Sequence, residues 1–240
     1  MDNLLLDSYI DAVSALIEND WKGRGREIPF DANICWPADS GRILLSSDTA
    51  VELGSPRTES SSFFLCTSDH EKIQDGKITL IGPDLNETDS RQLPFGKVVL
   101  LAGHDFTEDN FFDRYQELNR LRFRLSLYGY MMRAVLQENK EWSRVGKDAL
   151  RKGFSFRVLG SELIRAMKSL DYIDRASVIF VTASEEDVRK LKPIGDKANK
   201  VMRAMNKVFE KIDCDCASCD YSDVCSEVEG LKKLHEKVHA

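Results

Sequence analysis

The sequence predicts an α/β (α+β) fold: mixed sheets flanked by helices, then a C-terminal cysteine-rich metal loop and a short terminal helix. Three observations predict it. Separate segments carry apolar residues at three- and four-residue steps, which is helical spacing. Short runs rich in Ile, Val, Leu and Phe end near Gly, Asp or Pro, as strands do. After Gly96 these two patterns alternate, which is the order expected of helices packed on a sheet.

Residues 4–19 open the chain as a helix, with Leu6, Ile10, Val13, Leu16 and Ile17 near one face and Asp7 and Asp11 on another. Residues 21–26 break it with a basic, glycine-containing run that reads as a solvated loop. Strands are expected at residues 43–45, 62–66, 77–81 and 97–102. The irregular acidic link between Gly82 and Gly96 suggests subdomains at 1–92 and 93–210, followed by a cysteine-rich tail at 211–240. Residues 109–137 read as one long helix through Phe112, Tyr115, Leu118, Leu121, Leu125 and Tyr128. A helix at 161–170 leads to a strand at 177–182. Ser184 then suits an N-cap, because its hydroxyl can accept a backbone N–H while the following acidic residues meet the positive helix end. Residues 197–209 continue helically, and 226–238 form the terminal helix.

With 240 residues, 42% hydrophobic and 31% charged, the chain has the composition of a globular protein with a sizeable core. No apolar run approaches the roughly 20 residues that cross a bilayer, so no membrane association is expected. The N-terminus lacks the pattern of a signal peptide, which sets a cytoplasmic expectation. A formal charge of −6 argues against nucleic acid as a partner.

Four of the six cysteines fall in the run CDCASCDYSDVC at 214–225. Cys214, Cys216, Cys219 and Cys225 therefore form a candidate metal site, because a C-x2-C turn brings two thiolates to one ion and flanking cysteines complete four-fold coordination. An iron-sulfur cluster, with four iron and four sulfur atoms favoured, and zinc both fit. Cys35 and Cys66 read as isolated packed thiols. His235 and His239 share a face of the terminal helix but read as a solvated tail. His104 stands at a strand terminus, where site residues often sit. The arginine-rich stretch through Arg114, Arg120, Arg122, Arg124 and Arg133, continued by Arg144, Arg151 and Arg157, is the candidate phosphate-recognition surface.

A family resemblance rests on seven matches in order. They are VELGSPRT at 51–58, DGKITLIGPDLN at 75–86, LPFG at 93–96 with Val98 and Val99, WSRV at 142–145, KGFSFR at 152–157, Leu159 with Gly160, and VIFVT at 178–182. Together they resemble the central region of acetyl-CoA synthase, the beta subunit of the CO dehydrogenase/acetyl-CoA synthase complex, over about residues 51–213. The resemblance implies α/β domains that bind coenzyme A and receive a methyl group from a corrinoid iron-sulfur protein. It also implies a place beside a CO dehydrogenase-type subunit in one-carbon metabolism. It assigns Trp142 to coenzyme A binding, with Arg120, Arg124, Arg144 and Arg157 as the neighbouring candidates. The departure lies in the cysteines. Cys216 and Cys219 keep the family's C-x2-C pair, but Cys225 follows closely and no distant C-G-C for nickel is found. The expectation is a stand-alone relative or accessory subunit of unassigned catalytic status. Alternatives are a non-enzymatic iron-sulfur electron-transfer or interaction subunit, and a structural zinc protein. A rival likeness of the cysteine segment to RecB-like nucleases lacks their upstream aspartate and E-x-K pair.

Overall fold

The computed structural model describes residues 6–39, 41–107, 110–135, 139–209, 219–227, 230, 233 and 236–237. In chain order the elements are α1 (Asp7–Ala15), β1 (Gly25–Pro29), β2 (Thr49–Leu53), β3 (Ser60–Thr67), β4 (Lys77–Ile81), β5 (Gln92–Leu93) and β6 (Phe95–Gly103). There follow α2 (Phe111–Leu121), β7 (Tyr130–Val135), β8 (Lys140–Gly146), α3 (Lys147–Arg151), α4 (Phe156–Met167), β9 (Ile173–Val181), α5 (Glu185–Phe209) and α6 (Ser222–Glu227).

These strands build two mixed sheets. The larger has the order β1-β4-β9-β6-β3, with β4–β9 and β3–β6 parallel and β1–β4 and β6–β9 antiparallel. The smaller has the order β5-β2-β8-β7. Hydrogen-bonded pairs join strands on either side of residue 93 in both sheets, for example Phe63 with Val98 and Val51 with Val145. The larger sheet is covered on both faces, which is why β3 and β6 are buried along their whole length. Gly96 and Phe63 meet Leu191 and Gly195 of α5 on one face. On the other, Phe64 stacks on Tyr115 of α2 at 4.3 Å between ring centroids, and Phe95 packs with Phe156 of α4 and Phe180 of β9. Gly160 of α4 lies so close to Ile78 that a Cβ there would stand 2.8 Å from its Cδ1.

Several sequence expectations hold. The first helix continues past Ala15 as a π-type turn over Leu16–Asp20, and β4 has the expected bounds. Ser184 caps α5: its Oγ accepts the Asp187 N–H at 3.1 Å and donates to Asp187 Oδ2 at 2.6 Å. The basic run at 21–26 is bound rather than solvated. Arg24 makes a two-pronged pair with Asp187 at 3.0 and 2.7 Å, and the Trp21 indole N–H donates to the same carboxylate at 2.9 Å. Burial alone would raise the Asp187 pKa, but bonds from Arg24, Ser184 and Trp21 outweigh it and hold it down to about 2.

Two expectations fail. Residues 43–45 are not a strand; Leu44 is buried and its carbonyl accepts from Arg144 Nη1 at 3.2 Å, while Ile43 and Leu45 are 65% and 61% exposed. The long helix over 109–137 stops at Leu121. The chain then turns through Gly129, whose φ of +73° and close approach to Ala149 exclude a Cβ, and enters β7. Strands β1, β2, β5, β7 and β8 were not expected. The cysteine loop falls largely outside the described residues: Cys214 and Cys216 lie there, as do His235 and His239.

The two sheets meet at the free edge of β3. Ser62 N donates to Asn139 O at 2.6 Å, and Glu141 N donates to Ser60 Oγ at 3.2 Å. Inside this seam Lys97 of β6, 1% exposed, forms an ion pair with Glu141 of β8, also 1% exposed. Glu141 further accepts from Ser62 Oγ at 2.8 Å, Tyr130 OH at 3.1 Å and Ser143 Oγ at 3.1 Å. Burial would raise the Glu141 carboxyl pKa, but Lys97, Ser62 and Arg122 together hold it below the usual carboxylate range. Removing one partner strands the other charge without water. Lys97→Met alone should therefore destabilise the protein by about 3–5 kcal/mol, whereas Lys97→Met with Glu141→Leu should recover most of that loss. Denaturant unfolding of the two variants measures the difference, and equal losses would disprove the pairing.

Candidate functional site

Strand β8 positions the site by its pleat. Successive side chains point to opposite faces, so Glu141, Ser143 and Val145 go inward while Lys140, Trp142 and Arg144 share the outer face. Trp142 opens onto a cleft of about 640 Å³. Its cations come from four elements: Arg57 from the 55–58 turn, Arg133 from β7, Lys140 from β8 and Lys192 from α5. Among the described residues, no carboxylate lies within ion-pair reach of Arg57, Arg133 or Lys192. The acids on the cleft wall are already engaged. Glu59 and Glu185 both hold Arg189, and Glu141 holds Lys97. Arg57, Arg133 and Lys192 thus leave guanidinium and ammonium groups open beside an indole, which suits a phosphate-bearing ligand with an aromatic base.

Arg144 lies with its guanidinium 4.9 Å from the Trp142 ring centroid. It is fixed there by Glu52 Oε1 at 2.8 Å and by Leu44 O, so it positions the indole rather than offering a free cation. The Trp142 indole nitrogen is buried and without a hydrogen-bond partner. A buried donor left open costs free energy until an acceptor reaches it.

The remaining candidates are spread out. Arg120 and Arg124 are exposed around the end of α2, and Arg157 pairs with Asp31 at 2.9 Å at the start of α4. None of the three lines the cleft. Arg122 is buried, donating to Ser62 O at 3.3 Å and lying over Phe64 and Phe123. Sequence reasoning missed Arg57 and Lys192 as site residues. Arg57 did sit within the VELGSPRT match, which was the available signal.

Of the cysteines, Cys219 and Cys225 are half-buried on either side of buried Val224 and half-buried Tyr221. Among the described residues no group of three or more His, Cys, Asp or Glu side chains is arranged to hold a metal. Cys66 is buried beneath α1, and burial pushes its thiol pKa far up, which makes it inert. Cys35 is exposed. No described helix is long and apolar enough to cross a membrane.

The fold and cleft thus define a mixed-sheet α+β domain with an anion-receptive site built on an internal strand. Comparison with known proteins gives the family. The description "CO dehydrogenase/acetyl-CoA synthase complex beta subunit" belongs to the family whose sequence profile matches residues 30–188, well over half of the chain. The chain belongs to that family. It is 34% identical over 149 residues to the carbon monoxide dehydrogenase/acetyl-CoA synthase subunit alpha of Moorella thermoacetica, covering 61% of this chain and 20% of that protein. It is 27% identical over 214 residues to the acetyl-CoA decarbonylase/synthase complex subunit beta of Archaeoglobus fulgidus, covering 85% and 39%. With the subunit beta 1 of Methanosarcina thermophila it shares 26% over 207 residues, covering 83% and 42%. The matches thus span between 20% and 42% of these relatives' lengths.

A second constellation lies at the far end of β6. Asp174 Oδ2 accepts from His70 Nε2 and from His104 Nδ1, each at 2.8 Å. The hydrogen bond to Asp174 and that carboxylate's charge raise the His104 pKa above its ordinary 6.5. The bonds from His70 and His104 lower Asp174 below its ordinary 3.8. A raised histidine stabilises the fold below about pH 6.5 and loses that contribution as pH rises through its folded value. A lowered aspartate contributes above about pH 3.8 and loses it as pH falls. Stability from this cluster should therefore peak between those limits. Asp174→Asn should lower the melting temperature most at about pH 5–6 and least above about pH 9, read by thermal melts across pH; a loss independent of pH would disprove the ionic linkage.

Proposed function

We propose that this chain is a coenzyme A-binding domain working within a CO dehydrogenase/acetyl-CoA synthase-type complex. The observation that carries this reading is the cleft in which Trp142, backed by Arg144, faces Arg57, Arg133 and Lys192, cations that no carboxylate pairs among the described residues. Coenzyme A carries three phosphate groups and an adenine ring, the two chemistries that this cleft offers partners for. Guanidinium groups hold phosphates bidentately, and an indole face takes a flat base. Family membership supports the assignment to the complex. The corrinoid iron-sulfur protein and a CO dehydrogenase-type subunit are the partners this reading names, and the compartment it names is the cytoplasm.

The chain's own residues bind and orient in this reading. Arg57, Arg133 and Lys192 neutralise phosphate, Trp142 fixes the base, and Arg144 with Glu52 keeps the indole in place. Coenzyme A near saturation, at about a hundredfold its Kd, should stabilise the fold by roughly 2.7 kcal/mol, seen as a rise in melting temperature. Trp142→Ala and Arg133→Gln should each remove most of that rise, while Arg120→Gln and Arg124→Gln should leave it intact. A wild-type protein whose melting is unchanged by coenzyme A would end the ligand claim.

The same reading gives Cys214, Cys216, Cys219 and Cys225 a bound metal centre. The donor set is four thiols in twelve residues; Cys219 stands three residues before α6 and Cys225 lies within it. Such thiols suit an iron-sulfur cluster or zinc; a cluster would supply one-electron chemistry and zinc a structural clamp. Protein purified without oxygen should contain iron and acid-labile sulfide with broad visible absorption, lost in Cys219→Ser. Zinc without sulfide would make the segment structural, and protein with neither would remove the centre.

A further inference from the structure

Three of the four sheet edges are blunted or covered. β1 ends at Pro29, and its Arg26 and Glu27 are tied to Glu87 and Lys77. β5 is two residues long, and β3 meets Asn139 and Glu141 across the seam. Charge, proline, shortness and cover are the ordinary means by which an edge is kept from pairing with another chain. β7 differs: Tyr130–Val135 is six residues long, with Arg133 as its single charge and neither Pro nor Gly.

The hydrogen bonds show which groups of β7 are open. Gly146 N donates to Gly129 O at 2.8 Å, so by alternation Met131, Arg133 and Val135 exchange the ladder bonds with β8. Tyr130, Met132 and Ala134 then turn their N–H and C=O groups to the other side. The Tyr130 N–H is taken up by Leu127 O at 3.0 Å, and among the described residues none bonds the backbone N–H or C=O of Met132. The Met132 side chain points inward, with Sδ 3.8 Å from Lys97 Nζ.

We infer that β7 is the pairing edge for a second copy of this chain, antiparallel about a two-fold axis at Met132. Each Met132 N–H then meets the other copy's Met132 C=O, and each Ala134 N–H meets the partner's Tyr130 C=O. An axis at Arg133 would set like charges directly opposite, whereas the axis at Met132 sets Arg133 against the partner's Met131, whose apolar side chain can take the arginine stem. A different protein would meet Arg133 best with an acid, and that would cancel a cation lining the cleft. A second copy leaves the charge in place and closes the assembly at two. The two four-stranded sheets become one of eight strands, with both clefts on the same face. The pairing concerns assembly and holds whatever ligand the cleft takes.

One strand pair is a small interface, so a dimer of micromolar affinity is expected. Sedimentation equilibrium is read over micromolar to millimolar protein, on the full chain purified without oxygen and kept reduced so that exposed Cys35 cannot cross-link. The mass should rise from the 27.3 kDa of one chain toward twice that. Met132→Pro removes the open N–H without removing a bond of the β7–β8 ladder, and should hold the protein at the mass of one chain. Should circular dichroism show that variant unfolded, Met131 decides. Met131→Glu, set against the partner's Arg133, should tighten the dimer by roughly fivefold, and Met131→Lys should weaken it as much. A wild type that stays monomeric, a dimer that survives in folded Met132→Pro, or one that the two Met131 variants shift equally overturns the assignment.

Discussion

The arrangement depends on one buried ion pair, Lys97 with Glu141, set where the two sheets touch. Neither charge has water to fall back on, so the seam must supply every partner that water would have given. It does so with Ser62, Ser143 and Tyr130 around the carboxylate. The geometry this demands is strict, because a shift of β8 by one residue would turn Glu141 out and bring Trp142 or Lys140 in. An apolar seam of similar volume could slide without such a cost. The pair thus contributes register more than net stability, and register is what the outer face of β8 needs.

That outer face is the floor of the cleft. Because Glu141 is fixed inward, Lys140 and Trp142 must point outward, and Arg144 falls in line behind the indole. The neighbouring β7 brings Arg133 opposite Trp142 through the β-ladder. From the larger sheet, the turn before β3 contributes Arg57, while α5 packs across β3 and β6 and contributes Lys192. The site is therefore assembled across the seam from both sheets, and the buried pair holds the halves in one alignment.

Much of the larger sheet was legible in the sequence because its strands are buried on both faces. β3, β4, β6 and β9 appear as continuous apolar runs, and a run of that kind has few other readings. β8 was not legible for the opposite reason. Its inward positions include Glu141 and Ser143, so the usual apolar alternation is replaced by polar groups whose partners lie on distant strands. The false helix over 109–137 arose because three- and four-residue spacing persists through Leu125 and Tyr128, past the true end at Leu121. Nothing local marks that end except Gly129, whose positive φ is needed for a close approach to Ala149. Trp142 and Arg144 were found through the resemblance of WSRV at 142–145. Arg133 belonged to the same arginine-rich stretch, but Arg57 and Lys192 were not grouped with them, because elements far apart in sequence converge only in space.

Charge shows the same limit of one-dimensional reading. A formal charge of −6 describes the chain as a whole, yet binding responds to whichever charges are left uncompensated at one place. Here many acids are committed to structural pairs: Asp187 to Arg24, Glu52 to Arg144, Asp31 to Arg157, Glu59 and Glu185 to Arg189. Among the described residues, Arg57, Arg133 and Lys192 are cations of the cleft that this pairing leaves over. An acidic protein can in this way present a basic cleft. The cleft is also sensitive to the seam: without Lys97, Glu141 would be a buried charge stripped of its ion-pair partner, and the register that turns Trp142 outward would lose that anchor.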